Sequence, residues 1–208
     1  EGEPSIDVAP LDVNRFGPYA TKRYIKSMLA EAHTYGSIDP NAERTAGRPA
    51  RTSPLYHLHK AAGAGFAVRL GWECPSWFRT AQAPDMVQAV AAECRAVRER
   101  AGLLDLTSLA KFDLSGPGAA AFVARQLGGR LGEDGAIERL FLTTPKGRVE
   151  AAFVVLRVSE RHYYLTAAPQ AELHHQASLE RRLPADGSVR LENVTPRHGA
   201  LLLAGPRA

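Results

Sequence analysis

The chain has 208 residues, of which 45% are hydrophobic and 23% charged, the composition of an ordinary soluble globular protein of one or two domains. Its 26 Lys and Arg against 22 Asp and Glu give a net charge of +4, spread as single arginines with no concentrated patch, which argues against nucleic-acid binding. Two cysteines, Cys74 and Cys94, supply neither a disulfide framework nor a zinc site; no stretch reaches the roughly 20 apolar residues of a membrane span, and the start Glu1-Gly-Glu-Pro4 lacks a signal peptide's basic and apolar regions. The cysteines therefore read as buried or idle thiols, and the cytoplasm is the expected location.

Proline and glycine divide the chain near residue 84 into an irregular first part and a regular second part. Thr21 to Tyr35 predicts a helix, with Tyr24, Met28, Ala32 and Tyr35 on one side. Asp39 to Pro49 is turn-rich, a strap or linker. Ser53-Pro54 supplies an N-cap and a proline at the first helical position for a short helix from Leu55 to Ala62, stopped by Gly63. Pro84 opens a stronger helix to about Arg100, where Val87, Val90, Ala91, Cys94 and Val97 recur at helical spacing and are expected to pack on a core. Phe112 and Leu114 then alternate into the turn Ser115-Gly-Pro-Gly118, and Ala119 to Leu127 makes another short amphipathic helix.

Strands are predicted at Arg139 to Thr143, Val149 to Val158, Tyr163 to Ala167, Val189 to Val194 and Ala200 to Leu203, with a helix from about Pro169 to Arg182. Strand, helix, two hairpin strands, helix and strand is the order of a split β-α-β layout, so the fold class is α+β, not a doubly wound sheet.

Several stretches carry a family resemblance. They are Asp12-Val-Asn-Arg-Phe-Gly-Pro-Tyr19, Arg51-Thr-Ser-Pro-Leu-Tyr56, Gly71-Trp-Glu-Cys-Pro-Ser-Trp-Phe78 and, above all, Gly102-Leu-Leu-Asp-Leu-Thr-Ser-Leu-Ala-Lys-Phe-Asp-Leu-Ser-Gly-Pro-Gly-Ala119. In these the chain resembles the dimethylglycine and sarcosine dehydrogenase family, flavoproteins that end in a tetrahydrofolate-binding domain related to the aminomethyltransferase of glycine cleavage. The resemblance implies an aminomethyltransferase-like folate-binding fold. Residues 1–52 would be the junction or strap at the end of the flavoprotein half, and residues 53–208 a partial folate domain. It also implies tetrahydrofolate as a ligand, with FAD carried on a missing half or a partner subunit. No glycine-rich dinucleotide motif follows an N-terminal strand, and Leu201-Leu-Leu-Ala-Gly-Pro-Arg207 matches the handover to the next folate subdomain, so the family's later folate-contacting acid and arginine are expected to lie outside the chain.

In that family an N-methyl amine is oxidised to an iminium and tetrahydrofolate traps the one-carbon unit, with an aspartate after the hairpin acting as general base. Here the hairpin reads Thr144-Pro-Lys-Gly-Arg-Val-Glu-Ala-Ala-Phe-Val-Val-Leu156, and the aspartate's position holds Ala152, whose methyl group accepts no proton. Strand parity would put Glu150, Ala152, Val154 and Leu156 on one face, with Glu150 about 6.6 Å along it from the lost carboxylate. Glu150 is thus either a substitute base acting through a shifted ligand or bridging water, or an exposed strand-end acid. Leu109, Val154 and Leu156 match the apolar folate contacts, with Leu156 where a tyrosine is common, and they also suit plain core. No metal site is expected: His57 and His59 cannot share a helix face, His174 and His175 are adjacent, and all four read as solvated. Cys74, between Trp72 and Trp77, reads as packing and not as a nucleophile. Three roles follow: a folate-binding domain or subunit of an N-methyl-amine-oxidising flavoprotein, not catalytic alone; a non-catalytic interaction module docking on a flavoprotein partner; or a small-molecule sensor using the old folate cleft.

Overall fold

The computed structural model describes residues 11, 17–32, 43–129 and 131–208, so most of the stretch from Asp12 to Tyr19, the end of the first predicted helix and the start of the strap lie outside the described residues. The chain forms two compact units, one dominated by Leu109–His198 and the other made of Phe16–Ser108 with Gly199–Ala208. The expected junction between residues 52 and 53 falls inside the second unit.

In the second unit, α1 (Lys22–Ala32) is capped by Thr21, whose hydroxyl accepts the Tyr24 amide at 3.2 Å. Then come α2 (Tyr56–Ala61), β1 (Ala64–Arg69), β2 (Trp72–Phe78), α3 (Met86–Glu99) and β3 (Gly102–Asp105). The β1–β2 hairpin was not expected from sequence. Its two-residue turn places Leu70 and Gly71 at φ 51° and 80°, the conformation that matches strand twist, and a bulge between Gly65 and Phe66 accommodates Pro75 in β2. Gly63 ends α2 as expected, at φ 84°, where a Cβ would lie 2.9 Å from the Arg79 carbonyl oxygen.

Helix α3 corrects the sequence reading. Asp85, not Pro84, caps it, accepting the Gln88 amide at 2.9 Å, and the side it buries runs through Ala89. Glu93 lies on that side and accepts the Phe78 amide of β2 at 2.9 Å, which fixes the rotation of the helix. Of the stripe expected to pack, Val87, Val90, Ala91 and Cys94 are exposed and only Val97 is half-buried. Strand β3, not predicted from sequence, pairs antiparallel with β9 (Leu201–Ala204). Among the described residues, the buried apolar side chains of this unit are Ala67, Trp72, Ala83 and Ala89, while Leu103, Leu104, Leu201, Leu202 and Leu203 of the ribbon are exposed.

The first unit contains β4 (Ala110–Ser115), α4 (Ala119–Gln126), β5 (Ile137–Thr143), β6 (Val149–Ser159), β7 (His162–Ala167), α5 (Glu172–Glu180) and β8 (Arg190–Asn193), in one antiparallel sheet of order β5-β6-β7-β4-β8. This is the predicted split β-α-β arrangement of an α+β fold. Alternation decides its two faces. Phe112 and Leu114, Leu140 and Leu142, Phe153 and Val155, and Tyr163 and Leu165 point to one side, where Phe122 and Val123 of α4 and Leu179 of α5 close the core. The turn into α4 needs glycine: Gly116 sits at φ 126°, and a Cβ there would lie 2.3 Å from the Ser188 carbonyl oxygen.

Candidate functional site

The positions singled out in the sequence meet on the other face of this sheet. On β6, Ala151, Phe153 and Val155 are buried, so Ala152 and Val154 point away from the core and are exposed, while Leu156 is half-buried. Cross-strand pairing fixes the neighbours: Ala152 faces Phe141, Val154 faces Arg139 on β5 and Thr166 on β7, and Leu156 faces Ile137 and Tyr164. The sheet continues these rows onto β4, where Thr166 faces Lys111 and Tyr164 faces Asp113. Leu109, one step before β4 on the side of Lys111, comes into the row of Ala152 two strands away, roughly 10 Å by strand spacing. The result is an open slope of Ile137, Phe141, Ala152, Val154 and Leu156 with exposed aromatic and aliphatic side chains.

Glu150 does not share it. The β5–β6 register shifts between Leu142 and Thr143, so Leu142 pairs with Ala151 and Thr143 with Val149, leaving Glu150 as the extra residue of a bulge. That extra residue breaks the two-residue alternation on which the same-face expectation rested. Glu150 meets α5 instead, on the core side where His175 packs against Phe153 at 5.2 Å between ring centroids. Its carboxylate accepts from Arg182 at 2.6 Å and lies 4.0 Å from His174. Burial alone would raise its pKa, but the hydrogen bonds from Ser178 and Arg182 and the nearby positive charge hold it below the usual carboxylate range. A carboxylate so engaged, on the wrong side of the sheet, cannot substitute for a base at position 152.

The remaining acids of the open face stand in the row of Leu156 and are engaged. Asp113 is paired with His162 at 2.7 Å, and Glu192, which faces Asp113 on β8, is paired with Arg197 at 2.7 Å. Around Ala152 the face therefore has apolar area but, among the described residues, no carboxylate to accept a proton. Lys111, missed in the sequence reading, is fully buried in the same row as Val154, and its ammonium donates to the Leu109 carbonyl at 2.8 Å.

Two histidine readings are corrected. His175 is buried at 7% exposure, and its Nδ1 has no hydrogen-bond partner; burial first, and then the neighbouring His174, push its pKa down to about 4. His59 is no solvated side chain either: its Nε2 lies 3.0 Å from Asp105 Oδ2 in the second unit. Ser53, read as a helix cap, donates to the same oxygen at 2.6 Å and also accepts the Leu55 amide at 3.2 Å, and the Thr107 amide donates to Oδ1 at 2.9 Å. Burial opposes ionisation of Asp105, but these hydrogen bonds prevail and its pKa is lowered. Ser53 and His59 converge on one carboxylate oxygen instead of on each other, so the trio lacks the relay of a nucleophilic triad. Ser53 and Asp105 line a cavity of about 10 Å³ with Cys74, Trp72 and Thr107, room for about one water. Burial raises the Cys74 pKa, keeping a thiol and not a thiolate.

Among the described residues no group of three or more His, Cys, Asp or Glu could hold a metal, and no helix is long and apolar enough to cross a membrane. The open face offers a flat apolar surface that carries no acid beside Ala152 among the described residues. For a flavin, the described residues supply no glycine-rich phosphate loop after a strand.

Comparison with known proteins gives the same outline. The family description GCVT N-terminal domain matches residues 55–208, and FAD dependent oxidoreductase central domain matches residues 1–53. Mitochondrial dimethylglycine dehydrogenase of Mus musculus is 31% identical over 221 residues, covering 100% of this chain and 25% of that protein. The mitochondrial pyruvate dehydrogenase phosphatase regulatory subunit of Mus musculus is 29% identical over 226 residues, covering 100% of this chain and 26% of that protein. The solved aminomethyltransferase T of the glycine cleavage system from Bartonella henselae matches with a TM-score of 0.60 at 25% identity, over 76% of this chain and 41% of the other. The chain thus spans about a quarter of the length of the dimethylglycine dehydrogenases it matches.

Proposed function

The chain belongs to the GCVT N-terminal-domain family, joined to a segment of the FAD dependent oxidoreductase central-domain type, and from that premise we propose that it is the reduced-folate-binding part of an N-methyl-amine-oxidising flavoprotein, holding the folate without supplying a catalytic base. The observation that carries this is the open face around Ala152: a contiguous apolar slope at the place where the family resemblance puts the folate, with a methyl group where it puts the aspartate. Residues 1–52 act as the junction to a flavin-binding half or subunit and residues 53–208 as the partial folate domain. In this reading the chain positions the folate on the apolar face and shields one side of it from water, and proton transfer falls to another group.

Calorimetric titration with tetrahydrofolate, run on this chain and on Ala152→Asp, tests the assignment. Saturable binding by the parent chain supports a folate role that survives without the base, and restored one-carbon transfer in the aspartate variant, supplied with an iminium source, supports the assignment of position 152. Absence of binding by both proteins overturns the folate reading.

One observation favours a second role, an interaction module that kept the fold and lost the chemistry. The second unit exposes Val87, Leu103, Leu104, Leu201, Leu202 and Leu203 while burying few large apolar side chains of its own, an arrangement that invites cover by another protein surface. A relative that matches this chain along its whole length carries the name of a regulatory subunit. Under this reading the chain forms a stable complex with a flavin-binding half in sedimentation experiments, and the chain in that complex binds no tetrahydrofolate.

A further inference from the structure

Arg139 has a setting that the folate reading does not use. It stands at the middle of β5 on the open face, exposed, directly across from Val154. Ile137 and Phe141 flank it two residues away on its own strand, 63% and 42% exposed, and Ala152 and Leu156 flank Val154 on the neighbouring strand. Each of these neighbours on the β5–β6 half of the face is thus apolar, and among the described residues Arg139 is the single charged side chain there. The carboxylates of the face, Asp113 and Glu192, lie in the row of Leu156 on β4 and β8, at least three strands from β5, and are paired with His162 and Arg197. Glu138 and Glu150 stand on the opposite side of the sheet by alternation and by the bulge. Arg139 makes no ion pair or side-chain hydrogen bond among the described residues.

A guanidinium amid exposed apolar side chains has two uses. It can stack over or beside a flat ring, and it can take a carboxylate in a two-pronged hydrogen bond. Both suit a ligand with an aromatic slab and an anionic tail. We propose that Arg139 is the specificity-determining cation of the open face, binding a carboxylate of a ligand whose ring system lies on Phe141, Ala152 and Val154. The inference rests on the folate reading and deepens it: the anionic tail, not proton chemistry at position 152, selects the ligand. The competing reason for a cation here is protection of an edge strand, since β5 ends the sheet and charged side chains there discourage strand addition.

Calorimetric titration of the 208-residue chain with tetrahydrofolate and with its dimethyl ester separates these. The parent chain is expected to bind the acid about fivefold more tightly than the ester at low salt, as an exposed ion pair allows. Arg139→Gln brings the acid down to the ester's affinity and leaves the ester unchanged, and Arg139→Lys keeps most of the preference. Equal binding of acid and ester by the parent chain, or a preference that persists in Arg139→Gln, overturns the inference while the folate reading stands. Absence of binding of either ligand by the parent chain overturns the folate reading and the inference with it. Because Arg139 is exposed, the thermal midpoint of the glutamine variant is expected to match the parent's, which separates a binding effect from a folding one.

Discussion

Burial of His175 makes the stability of the first unit depend on pH in a direction and range that can be calculated. Its side chain is 7% exposed, packs on Phe153, and has an unpartnered Nδ1. The groups facing it are His174, which disfavours a second positive charge nearby, and Glu150, which favours it but is engaged by Arg182. With an ordinary value of 6.5 and a folded value of about 4, the difference of about 2.5 units multiplied by about 1.4 kcal/mol per unit gives about 3 kcal/mol. The folded pKa lies below the unfolded one, so between pH 6.5 and 4 the unfolded chain binds the extra proton. Stability from this group is therefore complete above pH 6.5, falls as the pH drops through that interval, and has been lost below about 4. Urea unfolding followed by far-ultraviolet circular dichroism at pH 7.5, 6, 5 and 4.5 measures it, because comparison with His175→Leu cancels the carboxylates that titrate in both proteins. The leucine variant is expected to gain on the parent steadily as the pH falls, reaching about 2 kcal/mol by pH 5. Parallel stability curves for the two proteins across this range would refute the reasoning.

Other outcomes follow from the same packing. Phe153→Ala empties the centre of the core, where this side chain is 1% exposed, and is expected to cost about 3 to 5 kcal/mol in chemical denaturation. Glu150→Gln leaves Arg182 without its carboxylate and is expected to destabilise the unit by about 1 to 3 kcal/mol without changing any tetrahydrofolate affinity; a loss of affinity at unchanged stability would restore Glu150 to the site. Gly116→Ala forces a Cβ toward the Ser188 carbonyl at a φ that side chains avoid, and is expected to lower the thermal midpoint by several degrees.

Where one side-chain rule sets an element, the sequence was sufficient. The core face of β6 and β7 is written in the alternation of Ala151, Phe153, Val155, Tyr163 and Leu165, and the candidate face follows by parity for Ala152, Val154 and Leu156. Parity failed at Glu150 because a bulge is a pairing event between two strands, and nothing in the local pattern of β6 announces it. Periodicity named the apolar stripe of α3 correctly but could not say which side the rest of the unit would cover; the Glu93 bond to the Phe78 amide decided that. The histidines were misjudged for the same reason. His59 and His175 acquire their surroundings from Asp105 and Phe153, 46 and 22 positions away in the chain, and no short window contains both partners.

The β3–β9 ribbon joins residues that synthesis separates by nearly the whole first unit. Asp105 pairs with Leu201, the Leu106 amide donates to the Ala200 carbonyl, and the Thr107 hydroxyl accepts the Ala200 amide. Ser108 therefore closely follows β3 and Gly199 shortly precedes β9, and Leu109–His198 of the first unit is a continuous insert between the two strands. The insert can complete its sheet as soon as β8 leaves the ribosome, whereas β3 must wait for β9, so the two pairings form in a fixed order. The same continuity makes Leu109–His198 a natural cassette: a gene that links Ser108 to Gly199 through a short spacer keeps every rung of the ribbon, and the excised stretch carries the five-stranded sheet and, among the described residues, the buried core packed on it.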